Sequence, residues 1–115
     1  MSSRPVFVDA NLQATFDAQG YVVVPALDVA AIAALAVGYQ HLDDPQSSDF
    51  ESTMNSPSPR HKRQVHRLVI QHLEPISRQY LAHYKPVVGN FVRKLPTEDS
   101  GVPAHQDWTM CDETH

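Results

Sequence analysis

Val87-Val88-Gly89-Asn90-Phe91-Val92-Arg93-Lys94-Leu95-Pro96 is where the period of this chain changes from that of a helix to that of a strand. Side chains alternate across an extended backbone, so Val88, Asn90, Val92 and Lys94 face one way and Phe91, Arg93 and Leu95 the other. Pro96 to Val102, which includes Asp99-Ser100-Gly101, reads as a turn-rich connection. A further strand is expected from Ala104 to Met110. It opens on Pro103-Ala104-His105-Gln106-Asp107-Trp108. At spacing i, i+2 the imidazole of His105 and the carboxylate of Asp107 leave the same face, while Gln106 leaves the other. One imidazole and one carboxylate are two corners of the facial 2-His-1-carboxylate arrangement, which holds iron(II) and leaves positions open for cosubstrate and oxygen. An isolated H-x-D tripeptide is short and is ordinarily an exposed, polar end of a strand, so its context matters.

Upstream, residues 9–19 predict a short helix. Asp9 or Asn11 can cap it, Leu12 and Phe16 share a face, and Gly20 suits the left-handed residue that ends it. Tyr21-Val22-Val23-Val24, β-branched and closed by Pro25, reads as a buried strand. Asp28 caps a second helix, in which Val29, Ile32, Leu35, Ala36, Tyr39 and Leu42 recur at helical spacing. Residues 43–60 are rich in Ser, Pro and Asp and read as a flexible linker or lid loop, with Phe50 and Met54 available to pack over a site. The helical period returns from His61 to Tyr84, where Pro75 predicts two helices or one kinked helix. His72 lies on the apolar stripe there and reads as a satisfied core histidine.

Composition narrows the function classes. With 115 residues, 42% hydrophobic and 19% charged, the chain is expected to form one globular unit with a core. The formal net charge is −4. The longest basic run is Arg60-His61-Lys62-Arg63, read as a solvated helix start, with an anion or substrate contact as the alternative. Nucleic acid is not expected as a partner, because phosphate binding needs more clustered Lys and Arg. Cys111 is the only cysteine, which rules out an intrachain disulfide. Its acidic neighbours Asp112 and Glu113 disfavour the thiolate a nucleophile needs. No apolar run approaches the roughly 20 residues that cross a bilayer. No membrane partner and a cytoplasmic location are expected. Neither a G-x-S-x-G elbow nor a glycine-rich phosphate loop is present.

The stretch Phe91 to Pro96, the Asp99-Ser100-Gly101 loop and the His105-Gln106-Asp107-Trp108 run together resemble the metal-binding strand of the phytanoyl-CoA dioxygenase-like family. The N-terminal order of Phe16, then Gly20-Tyr21-Val22-Val23-Val24-Pro25-Ala26-Leu27, then a capped helix, is similar too. The resemblance implies an iron(II)- and 2-oxoglutarate-dependent dioxygenase acting with molecular oxygen on a small-molecule substrate. It implies an α+β fold in which N-terminal helices pack on the first strands of a double-stranded β-helix, a jelly roll. His105 and Asp107 match two iron ligands. Asn90 and Gln106 match positions that contact 2-oxoglutarate, and Trp108 one that lines the substrate pocket. A carboxylate at Asp107, where related halogenases carry a small residue, favours hydroxylation.

The family's second histidine and its cosubstrate-binding arginine lie well beyond the H-x-D strand, and only His115 follows here. A jelly roll needs about eight strands, and about three are expected, at 21–24, 87–95 and 104–110. Residues 1–115 are therefore read as the N-terminal portion of one dioxygenase domain. The competing reading is a non-catalytic helical interaction module in which residues 28–42 and 61–84 pack together and H-Q-D is incidental. Assayed with iron(II), ascorbate and 2-oxoglutarate, the 115-residue chain is expected to form no succinate above a His105→Ala control.

Overall fold

The computed structural model describes residues 4–42, 50–97 and 101–104. Three helices and two short strands follow in the order α1 (Ala10–Gln19), α2 (Val29–Gln40), β1 (Phe50–Ser52), a 3₁₀ turn (Thr53–Asn55), α3 (Pro59–Tyr80) and β2 (Val92–Lys94). Among the described residues no helix is long and apolar enough to cross a membrane.

The first two helices form where local signals place them. The Asp9 carboxylate accepts from the backbone N–H of Asn11 and Leu12, and Gly20 ends α1 in the left-handed region at φ 80°. Such a φ costs a residue with a Cβ about 1–2 kcal/mol. Asp28 caps α2 through the N–H of Ala31 at 2.8 Å.

The spine of the fold is α3. Ser58 Oγ accepts from His61 N at 3.2 Å, and Pro59 occupies the start of the helix, where a missing N–H costs nothing. His61, Val65 and Val69, spaced by four, are its buried face. The helix runs unbroken through Pro75 to Tyr80, as one helix and not two. The chain N-terminus straps its far end. Val8 N donates to Tyr80 O at 2.9 Å and Ala82 N to Val6 O at 2.8 Å, while the Arg4 guanidinium sits over the Tyr84 ring.

Residues 21–24 are not the expected buried strand. They lie outside any ladder, with Tyr21 62% and Val23 85% exposed. The segment is held at its end instead, where the Tyr80 hydroxyl donates to Pro25 O at 2.6 Å. Residues 43–60 are likewise not all linker, because their second half supplies β1, the 3₁₀ turn and the start of α3. β1 pairs antiparallel with β2 in the register Phe50↔Lys94, Glu51↔Arg93, Ser52↔Val92. The strand expected over 87–95 is thus a ladder only at 92–94. The strand expected from Ala104 lies outside the described residues beyond Ala104 itself, which is in none. Among the described residues the fold is mixed helix with a two-stranded antiparallel sheet.

Two glycines set how closely α3 is approached. A Cβ on Gly38 would meet Leu68 Cδ2 at 2.5 Å, and one on Gly89 would meet Val69 Cβ at 2.8 Å and His66 O at 3.3 Å. The Leu68 branch can rotate away, and alanine gains about 1 kcal/mol of helix propensity within α2. The atoms facing Gly89 are a stiff β-branched carbon and a backbone carbonyl, which cannot. Gly89→Ala is therefore expected to destabilise the fold by about 1–3 kcal/mol and Gly38→Ala by clearly less, as read from urea-unfolding midpoints of the two variants.

Candidate functional site

The extended segment 88–91 lies between β1 and α3, and three hydrogen-bonding groups hold it there. Asn90 Nδ2 donates to Ser52 Oγ at 2.9 Å. The buried Thr53 clasps Phe91 through three bonds: Thr53 N donates to Phe91 O at 2.9 Å, Phe91 N donates to Thr53 Oγ1 at 2.8 Å, and the Thr53 hydroxyl donates to Phe91 O at 3.3 Å. One residue before Asn90, Gly89 N donates to His66 Nδ1 at 3.1 Å. Accepting at Nδ1 fixes the neutral tautomer of His66 that carries its proton on Nε2. The Tyr39 ring closes the other side of Phe91, with centroids 5.1 Å apart.

Of the residues expected to form the site, Asn90 is described. Its side chain is half-buried and bonded to a serine across the sheet, an arrangement that braces the strand end. His105, Gln106, Asp107 and Trp108 lie outside the described residues, as do Cys111 and His115. Lys94 is exposed at the end of β2, as a solvated strand terminus would be. His72 Nδ1 is 3.0 Å from Leu68 O, so its ring has the partner expected of it, but the side chain is half-buried and not in the core. Among the described residues, no group of three or more His, Cys, Asp or Glu could hold a metal ion.

Between α3, the 3₁₀ turn and residues 88–89 lies a cavity of about 570 Å³. Its walls are apolar at Met54, Val65 and Val88 and cationic at Lys62, Arg63 and Arg67. Met54 lines this cavity, while Phe50 is in β1. Of the basic run read as a solvated helix start, Arg60, Lys62 and Arg63 are exposed at the start of α3 as expected, and His61 is buried; Lys62 and Arg63 also border the cavity. The signal for this was in the sequence: Arg60, Lys62, Arg63 and Arg67 are four of nine Lys and Arg, and no acidic residue lies between Ser58 and Leu73. Pairing that stretch with Val88 and Gly89 required the fold.

Comparison with protein families, with curated proteins and with solved structures finds no match for this chain.

The bonds at Thr53 and Asn90 differ in burial and should differ in strength. Thr53→Val keeps the shape but leaves the Phe91 N–H without its acceptor, a loss of about 1–3 kcal/mol. Asn90→Ala removes a half-buried neutral bond worth about 1 kcal/mol. Urea denaturation of both variants checks this order; a larger loss for Asn90→Ala would show that its amide does more than brace the strand end.

Proposed function

We propose that this chain contributes to an iron(II)- and 2-oxoglutarate-dependent dioxygenase, with His105 and Asp107 as iron ligands and a small molecule as the hydroxylated substrate. The observation that carries the reading is the pairing of His105 with Asp107 at strand spacing, downstream of an extended segment that ends in β2. The donor set suits the metal: a neutral imidazole nitrogen and one carboxylate oxygen offset part of the dication's charge and leave positions free for other ligands. Bound there, iron(II) with 2-oxoglutarate would supply oxygen activation coupled to oxidative decarboxylation of the cosubstrate to succinate and carbon dioxide. In this reading the polypeptide supplies alignment and exclusion of water. Gln106 and Asn90 offer amide groups to 2-oxoglutarate. Trp108 supplies an apolar wall for the substrate, and the jelly roll is the architecture that would present these groups together.

A second reading, a helical interaction module, draws on α2. Val29 is 83% and Ile32 54% exposed on that helix, so much of its apolar surface is unpacked.

Manganese(II), a paramagnetic substitute for iron(II), separates the two readings by NMR. The dioxygenase reading expects line broadening centred on residues 104–108, abolished by His105→Ala and by Asp107→Ala, with added 2-oxoglutarate shifting Asn90 and Gln106. Broadening centred on the histidines of α3, or retained in both variants, would remove iron ligation by H-Q-D and leave the interaction module.

A further inference from the structure

We propose that the cavity between α3 and residues 88–89 binds an organic anion: a compact apolar body carrying a carboxylate or phosphate head group. This proposal is independent of the iron site and uses none of its ligands.

Four observations carry it. The cavity, at about 570 Å³, is in the size range of small-molecule sites. Its apolar wall is partly open: Val65 is only 1% exposed, but Val88 across from it is 57% exposed, so an apolar ligand has surface to cover. Lys62, Arg63 and Arg67 stand on the same cavity, and none of them forms an ion pair among the described residues. Elsewhere Arg78 is paired with Glu74 and Arg93 with Glu51. Finally, these cations occupy the first turns of α3, which contain no acidic residue. The first turn of a helix carries partial positive charge, so Lys62 in that turn raises the local potential instead of neutralising it, and Arg63 and Arg67 add further unneutralised charge alongside. A bound anion relieves that repulsion.

The side chains also define what the head group should be. Arg63 and Arg67, one helical turn apart, present planar donor forks that match the paired oxygens of a carboxylate or phosphate. His66 spends Nδ1 on the Gly89 N–H and retains Nε2–H as a neutral donor on the wall. A cationic ligand meets three like charges. Inorganic phosphate alone leaves Val88 and Met54 uncovered.

Calorimetry and NMR on the 115-residue chain with octanoate, octyl phosphate, octylammonium and inorganic phosphate test this. At least one of the two amphiphilic anions should bind saturably, with amide shifts at Met54, Val65, Val88 and Gly89. The preferred head group then tells carboxylate from phosphate. Octylammonium and inorganic phosphate should each bind at least tenfold more weakly. The double variant Arg63→Gln, Arg67→Gln should weaken the amphiphilic anion at least tenfold while the helical circular-dichroism signal is retained. Equal binding of octanoate and octylammonium would reduce the cavity to an apolar crevice. Inorganic phosphate binding as tightly as octyl phosphate would reduce it to a charged surface. No saturable binding, or shifts elsewhere, would overturn the proposal. If the double variant does not fold, the four-ligand comparison on the unaltered chain decides.

Discussion

Residue 89 can lie against α3 only because it has no Cβ. A methyl group at that position would fall within 2.8 Å of Val69 and 3.3 Å of the His66 carbonyl, neither of which can move aside cheaply. That close approach puts the Gly89 N–H within reach of His66 Nδ1 and brings Phe91 onto Thr53. The antiparallel pairing continues from this clasp, forward along β2 from Val92 to Lys94 and backward along β1 from Ser52 to Phe50. The cavity, the tautomer of His66 and the register of the sheet therefore share one steric origin.

The apolar core around this contact is small. Among the described residues the buried hydrophobic side chains are Val65 and Val69, while Thr53, Ser56 and His61 are buried polar groups. In so thin a core, hydrogen bonds weigh more than usual, because a buried N–H without a partner costs as much as burial of a small side chain contributes. Thr53 bonds to both backbone polar groups of Phe91 and so joins β1 to the segment preceding β2. The cross-strand pair Glu51–Arg93, at 3.6 Å and partly exposed, adds less, as ion pairs near solvent do.

Charge is distributed unevenly over this framework. The chain as a whole is acidic, with a formal net charge of −4, yet the first half of α3 is entirely free of acidic residues. Its buried stripe of His61, Val65 and Val69 faces inward, and the intervening positions deliver cations to the neighbouring concavity. The proposed iron ligands follow the same extended segment that forms one wall of that concavity. The two proposed chemistries use different residues: anion capture at the α3 face of Val88 and Gly89, and metal ligation at His105 and Asp107 further along the chain.

The elements legible from the residues alone are those whose signals act within one helical turn. Asp9, Asp28 and Gly20 cap α1 and α2 as their positions imply, since a cap satisfies backbone groups only a few residues away. The helix caps were therefore foreseeable. Strand pairing was not. Val22 to Val24 has the stronger β propensity, yet Phe50 to Ser52, inside a stretch that reads as linker, is the segment with a partner in β2. A strand exists only where another chain segment accepts its hydrogen bonds, and that segment is chosen by packing at long range. Pro59 likewise reads as a helix breaker until the chain direction makes it the first helical residue. Long-range packing alone joined Lys62, Arg63 and Arg67 to Val88, because no local period relates residues so far apart in the chain.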